Sequence, residues 1–270
     1  MSLKPIILFD MDGTLTPARE NIAWSTVVKL KDLQKYADIG IVSGSPYSYI
    51  EQQMGLAWRE INSLKPTDLL IMPCNGTQVY KFITSGAKPS FIQTHTSNMI
   101  DFLGKDVYRI LISILTDLQN QVIEDYINMP LSGNFISFRG SMINWCMIGR
   151  DADHTMRTMF TELDIHTSVR TKLKQQLDSE LSIAGIDNMT TTLGGSTSID
   201  IYPSGWDKTY CLKHIDENRT VYFVGDKCQD GGNDRTLFEH KKTNAYETSG
   251  PQETLNIIDN IIAEIVNGRS

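Results

Sequence analysis

Near its N-terminus the chain reads Pro5-Ile6-Ile7-Leu8-Phe9-Asp10-Met11-Asp12-Gly13-Thr14-Leu15-Thr16. Four consecutive apolar residues, Ile6 to Phe9, predict a strand buried on both faces, as in a parallel sheet. Two carboxylates and a glycine turn follow at its carboxyl end, where open parallel sheets gather their ligand sites. An Asp-Gly pair alone marks no more than a turn. The string D-x-D-G-T-L behind an apolar strand is more telling, because average residue usage would produce it in roughly one chain per thousand.

Neighbouring segments extend this strand into a sheet. Trp24, Val27, Val28, Leu30 and Leu33 have helical spacing, and Ile39–Val42 is a second apolar strand stopped by Ser43-Gly44-Ser45-Pro46. The pattern predicts a helix over Tyr47–Met54 ended by Gly55, then a strand at Leu69–Met72 turned back through Asn75-Gly76 into Gln78–Phe82. This βαβα order predicts an α/β fold with a parallel sheet. The middle differs. Val107, Ile110, Leu111, Ile114, Leu115, Leu118 and Val122 mark a long amphipathic helix. Short strands are expected at Phe135–Phe138, Ile143–Ile148, Met189–Leu193 and Ser198–Tyr202, with helices at Thr155–Leu163 and Val169–Leu181. After Pro203-Ser204-Gly205 the α/β pattern resumes, with a helix over Asp207–Ile215, a strand at Val221–Val224 and a last helix from about Ser249. Ser249-x-x-Gln252 resembles a capping box, with Pro251 in the first turn and Gly268 as the stop. The expected organisation is therefore an α/β core made of 1–82 and 207–270, with an α+β domain inserted at 86–203.

Composition bounds the function. The 270 residues carry 25 Lys and Arg against 32 Asp and Glu, a net charge of −7. That balance excludes a nucleic acid or an anionic membrane as a partner held by bulk charge. Neither part of the chain is basic: 86–203 has 9 basic and 13 acidic residues, and the remainder 16 and 19. An anionic substrate must therefore be held by a few cations at short range. No apolar run approaches the ~20 residues of a membrane span. Four cysteines with no C-x-x-C pair predict free thiols and a reduced, cytoplasmic setting.

The residues at the strand ends suggest phosphoryl transfer. A carboxylate can accept a phosphoryl group, giving an aspartyl phosphate. Mg²⁺ held by carboxylates offsets the charge on the transferring group. A second carboxylate can move the proton of the leaving or attacking hydroxyl, and a hydroxyl and an ammonium can bind the other phosphoryl oxygens. Asp10 is the expected nucleophile and Asp12 the acid/base. Mg²⁺ would be held by Asp10, Asp226 and the backbone carbonyl of Asp12. Lys208, at a helix start, supplies the ammonium, and Ser45 or its competitor Ser43 the hydroxyl. The loop Gly225-Asp226-Lys227-Cys228-Gln229-Asp230-Gly231-Gly232-Asn233-Asp234 follows the late strand and adds further oxygens.

Together these residues resemble the haloacid-dehalogenase-like phosphotransferase superfamily. Leu15-Thr16-Pro17-Ala18-Arg19, Phe138-Arg139, Ile148-Gly149-Arg150, Gly194-Gly195-Ser196-Thr197-Ser198-Ile199-Asp200-Ile201-Tyr202-Pro203 and Gly205-Trp206-Asp207-Lys208 are similar to the eukaryotic-type phosphomannomutases, in order and over nearly the whole chain. That resemblance implies a Rossmann-like core with an inserted cap, a homodimer formed through the cap, and interconversion of mannose 6-phosphate and mannose 1-phosphate on the way to GDP-mannose. It implies Mg²⁺ and a hexose 1,6-bisphosphate activator. It also implies sugar-phosphate contacts from Arg19, Arg139, Arg150, Arg157, Ser198 and Asp200. Guanidinium forks suit such a role because they bind oxyanions bidentately. Ser198, Asp200 and Tyr202 alternate with Ile199 and Ile201, so they share one strand face. Phe135, Ser137 and Arg139 share another, and a helix joining Arg150 to Arg157 would place them about two turns apart.

The chain departs from the family pattern at Ser43, where Gly is usual, at Cys74, where Glu is usual, and at His240, which replaces an Asp near a second, structural cation around Phe238–Thr243. A sugar-phosphate phosphatase of the same superfamily and a non-catalytic sugar-phosphate binder are the alternatives to a mutase. Phosphate release separates the first from it, and binding without turnover the second.

Overall fold

A computed structural model describes residues 3–55, 57–61, 69–83 and 90–268. It divides into two units, one made of Met1–Thr96 with Trp206–Ser270 and one of Ser97–Gly205.

The first unit is built on β1 (Ile6–Phe9), and every residue of β1 is buried. Next come α1 (Trp24–Leu33), β2 (Asp38–Val42), α2 (Tyr47–Met54), α3 (Ala57–Ile61), β3 (Leu70–Met72), a 3₁₀ turn over Cys74–Gly76, β4 (Gln78–Ile83) and β5 (Ser90–Thr96). The second unit contributes α4 (Met99–Leu103), α5 (Lys105–Asp125), β6 (Ile136–Phe138), β7 (Ile143–Cys146), α6 (His154–Thr167), α7 (Val169–Ile183), β8 (Met189–Gly194) and β9 (Ser198–Pro203). The chain then returns to the first unit through a 3₁₀ stretch at Lys208–His214, β10 (Val221–Gly225), α8 (Arg235–Phe238), β11 (Thr243–Glu247) and α9 (Pro251–Asn267).

The first unit holds a seven-stranded sheet in the order β11-β10-β1-β2-β3-β4-β5. The strands from β11 to β3 pair in parallel, while β4 pairs antiparallel with β3 and β5 antiparallel with β4. Alternation along β1 supplies both faces. Ile7 and Phe9 pack with Leu30, Leu33, Ile50, Ile258 and Ile261. Ile6 and Leu8 pack with Val42, Met72, Cys211, Phe223 and Leu237. With layers on both sides, the strand can be wholly apolar.

The second unit holds an antiparallel sheet in the order β6-β7-β9-β8. α5 buries Leu111, Leu115, Leu118, Gln119 and Val122, and α7 buries Val169, Leu173, Leu177 and Leu181. Trp145 is fully buried. Its Nε1 donates to Gln119 Oε1 (2.8 Å), and Gln119 Nε2 donates to the Met147 carbonyl (3.1 Å), so neither buried polar group is left unpaired. Among the described residues no helix is long and apolar enough to cross a membrane.

Several expectations are corrected. Residues 90–96 form a strand hydrogen-bonded to β4, so the division falls at Thr96/Ser97 rather than between 82 and 86. Residues 84–89 lie outside those described. The sequence hid this strand because an edge position leaves Gln93, Thr94 and His95 with little apolar patterning. The stretch after Asp207 is 3₁₀ rather than α. Ser249 is held by Glu253 instead of Gln252: the Ser249 N–H and hydroxyl both donate to Glu253 Oε2 (2.7 and 2.6 Å), and Gly250 occupies the cap. α6 begins only at His154, so no helix joins Arg150 to Arg157. Trp24 and Val28 are exposed on α1, whose inner face is Thr26, Val27, Leu30 and Leu33.

Candidate active site

Asp10 leaves β1 with its backbone N–H still bonded to the Val224 carbonyl (3.0 Å), so it sits where β1 and β10 end together. The following residues coil tightly. The N–H groups of Thr14, Leu15 and Thr16 all point at the Met11 carbonyl (3.3, 3.0 and 3.0 Å), and the Gly13 N–H donates to Thr16 O (2.7 Å). Gly13 has φ +89°, and a Cβ there would lie 2.3 Å from Asp226 Oδ2. Only glycine allows both that backbone conformation and that approach.

Lys208 is nearly inaccessible. Its Nζ donates to Asp10 Oδ1 and to Asp234 Oδ1. Asp207 caps its 3₁₀ stretch, accepting the Thr209 N–H (2.8 Å). Asp234 is fully buried, and its Oδ2 accepts the N–H groups of Asp226 (3.1 Å) and Lys227 (3.0 Å). Carboxylate oxygens of Asp10, Asp226 and Asp234 lie within 4.8 Å of one another. The Asp10 pKa is raised to about 7: burial is the largest cause, Lys208 opposes it, and Asp234 and Asp226 add to it. Asp226 is also raised, by burial first, with Lys227 and Lys208 opposing and Asp234 adding. Burial alone would lower Lys208, but the attraction of Asp10 and Asp234 outweighs it and holds the ammonium above its ordinary value. Three carboxylates around one ammonium leave an excess of negative charge. Asp226 Oδ1 and Asn233 Oδ1 are buried with no hydrogen-bond partner. Such hard oxygens, short of positive charge, fit a divalent cation such as Mg²⁺.

Asp12 points elsewhere. Its Oδ1 accepts the Arg19 N–H and Gln53 Nε2 (both 2.7 Å). Its carboxylate is therefore outside the acidic group, and Asp234 is the third member. Ser43 is buried and its Oγ accepts the Ser45 N–H (3.0 Å), whereas Ser45 is half-buried. Near Phe238–Thr243 the Thr243 hydroxyl is directed at the carbonyls of Leu237 and His240 (2.7 and 2.8 Å), and the His240 ring accepts the Lys242 N–H (3.2 Å). Among the described residues only Asp10, Asp226 and Asp234 form an acidic or His/Cys group of that kind.

In the second unit the sheet register sets a polar row. Ser137 pairs with Asn144, Asn144 with Asp200, and Asp200 with Thr192. Directly opposed residues share a face, and the intervening Ile143, Trp145, Ile199 and Ile201 fill the other. Asn144 Nδ2 donates to Ser198 Oγ (2.8 Å) and Asp200 Oδ1 (2.5 Å), and Arg150 Nη1 donates to Asn144 Oδ1 (2.8 Å). The structure thus joins Arg150, Ser198 and Asp200. Arg157 braces the neighbouring loops, donating to the carbonyls of Ala152 and Arg150 and to Thr197 Oγ1. Arg139 stands in the turn after β6, its N–H bonded to Met142 O (2.8 Å). Arg19 lies in the first unit with a left-handed backbone, φ 65°.

Sequence reasoning passed over Asn144, Gln53 and the part played by Asp234. Asn144 had a signal, a lone amide in the apolar run Ile143 to Ile148. Asp234 stood in the quoted late loop without being assigned to Lys208 or to the acidic group. Gln53 had no signal beyond being polar on a helix.

The sequence model describing eukaryotic phosphomannomutases matches residues 27–264. The chain is 33% identical to the phosphomannomutase of Schizosaccharomyces pombe, covering 93% of this chain and 92% of that one. It is 33% identical to human phosphomannomutase 1, covering 93% and 90%. Solved structures similar in fold include an IMP-bound IMP-nucleotidase of Plasmodium falciparum (TM-score 0.67, 15% identity, 97% of this chain and 67% of that one). A trehalose-6-phosphate phosphatase related protein is also similar (TM-score 0.54, 16% identity, 97% and 99%). The fold is the haloacid-dehalogenase-like one, a parallel-sheet core with a separate antiparallel-sheet unit.

Proposed function

The chain belongs to the eukaryotic phosphomannomutase family, and from that membership we propose that it interconverts mannose 6-phosphate and mannose 1-phosphate through an aspartyl phosphate on Asp10. The observation that carries the reading is the buried meeting of Asp10 with Lys208, Asp226 and Asp234 at the ends of β1 and β10. In the first step Asp10 attacks one phosphorus of a hexose 1,6-bisphosphate. The bond from that phosphorus to the sugar oxygen breaks, and Asp12 gives the leaving oxygen its proton. The hexose monophosphate so formed leaves, and a hexose monophosphate phosphorylated at its other end presents its free hydroxyl to the aspartyl phosphate. Asp12 takes the proton of that hydroxyl, and the phosphoryl group passes to this sugar, which regenerates Asp10 and the hexose 1,6-bisphosphate. Asp10, Asp226 and the Asp12 carbonyl would hold Mg²⁺, which when bound offsets the charge of the transferring phosphoryl group. Lys208 and Ser45 bind its remaining oxygens. Arg19, Arg139, Arg150, Arg157, Ser198 and Asp200 hold the sugar and its distal phosphate.

The same membership supports a hexose bisphosphate activator, a place ahead of GDP-mannose formation, and a homodimer formed through the second unit. A cytoplasmic location rests on the four free thiols, all buried. The test uses mannose 1-phosphate with mannose 1,6-bisphosphate and Mg²⁺. Isomer formation without matching phosphate release is the expected result, and Asp10→Asn abolishes it together with the phosphoryl-enzyme. Phosphate released as fast as substrate disappears would make the chain a phosphatase. Binding without turnover would make it a sugar-phosphate binder.

A further inference from the structure

Resting on the mutase reading above, we propose that Asn144 is the positioning residue of the sugar-phosphate-binding face, one amide that fixes Arg150, Ser198 and Asp200 relative to one another. Asn144 is buried in the middle of β7, 2% exposed, and pairs across the sheet with Asp200. Its two ends do different work. The carbonyl oxygen accepts Arg150 Nη1, and the NH₂ donates to Ser198 Oγ and Asp200 Oδ1. The direction of the amide is set by its neighbours. The Ser198 hydroxyl donates to Gly194 O (2.7 Å), so its oxygen is left to accept. A carboxylate on one side and a guanidinium on the other then admit one orientation only. Gly194 completes the arrangement, because a Cβ there would lie 2.7 Å from the Asp200 carboxylate.

No other side chain of this size joins a cation to an anion and a hydroxyl in this way. Leucine keeps the volume and loses every bond. Aspartate keeps the acceptor for Arg150 but turns a like charge on Asp200. The consequence is a binding effect: Asn144 touches none of the reacting atoms, but its loss lets the groups that grip the substrate drift apart.

The test compares Asn144→Leu, Asn144→Asp and a control, Gln119→Met, in the full chain with Mg²⁺ and mannose 1,6-bisphosphate present. Gln119 is another buried amide of the same unit, bonded to Trp145 and Met147. KM for mannose 1-phosphate should rise at least tenfold in both Asn144 variants and stay within twofold of wild type in Gln119→Met, although Gln119→Met melts lower. Should Asn144→Leu not fold, Asn144→Asp, which has the same shape, carries the comparison. A KM within twofold of wild type in the folded Asn144 variants, or a rise no larger than that of the control, overturns the inference while wild type still isomerises. A wild-type chain that does not isomerise overturns the mutase reading and this inference with it.

Discussion

Lys208 is held between two carboxylates in a space that water does not reach, and each of the three groups is tolerable only because of the others. Asp234→Ala removes one of the two acceptors of Lys208 and the acceptor of two backbone N–H groups at once. Breaking a buried ion pair from one side should destabilise the fold by about 3–5 kcal/mol, read as a lower urea midpoint with an unchanged slope. Gln53 gives the opposite contrast. Its Nε2 holds Asp12, but its Oε1 is buried with no partner. In Gln53→Leu the orphan oxygen disappears together with the bond, so the melting temperature should hardly move. A hydrogen bond to a charged group contributes about 1.5–3 kcal/mol, so with Asp12 as the acid/base, kcat should fall by roughly ten- to a hundredfold. A drop in stability with unchanged kcat would mean that Gln53 serves packing alone.

At the scale of elements, the 3₁₀ turn at Cys74–Gly76 ties several loops of the first unit together. Cys74 and Asn75 both have positive φ (48° and 64°), and their N–H groups donate to the carbonyls of Ser45 and Ser43. Asn75 Nδ2 donates to Trp206 O (3.2 Å), and His214 Nε2 bonds Gly76 O (2.8 Å). Burial lowers the His214 pKa; the Gly76 carbonyl opposes this, and His95, Lys213 and Lys81 add to it. The unfolded chain therefore takes up a proton before the folded chain does, and stability is lost as pH falls below the ordinary value of 6.5. His214→Gln cannot titrate, and urea melts from pH 7.5 to 5.5 should show a shallower acid-side decline than wild type. An unchanged decline would assign it to other groups. In the second unit α7 presents Val169, Leu173, Leu177 and Leu181 at helical spacing, all buried. Leu177→Ala should lower stability by about 2–5 kcal/mol in calorimetric melts.

At the scale of the whole molecule, a net charge of −7 spread over both parts of the chain leaves attraction of a phosphate to local groups. Raising salt should therefore change the encounter rate with a sugar phosphate only weakly, in contrast to a protein with a basic field. The second unit is one continuous stretch with its own sheet and covering helices. Residues 97–205 alone should unfold cooperatively by circular dichroism, because the buried apolar residues of α5, α7 and the sheet belong to one segment; a featureless melt would show that it depends on the first unit. The parallel sheet, the insertion and the places of Asp10 and Asp226 just after buried strands were legible in the sequence. Burial imposes its period locally, four apolar residues in β1 and an i, i+3, i+4 face in α5, and turn chemistry marks the ends. Edge strand β5 was not legible, because a half-solvated strand needs little apolar patterning. Nor could spacing reveal which atoms meet. Lys208 and Asp10 are 198 positions apart, and they meet because the 3₁₀ stretch that begins at Lys208 packs its Cys211 and Leu212 with Ile6 and Leu8 of β1. Asp234 rather than Asp12 completes the acidic group because the coil after Gly13 turns the Asp12 carboxylate toward Arg19 and Gln53. Asn144 joins Arg150 to Asp200 because β7 and β9 align it there. The sequence by itself determined which residues stand at the strand ends, since periodicity is a local response to burial; only the tertiary structure decided their partners, since register and coil direction bring together side chains remote along the chain.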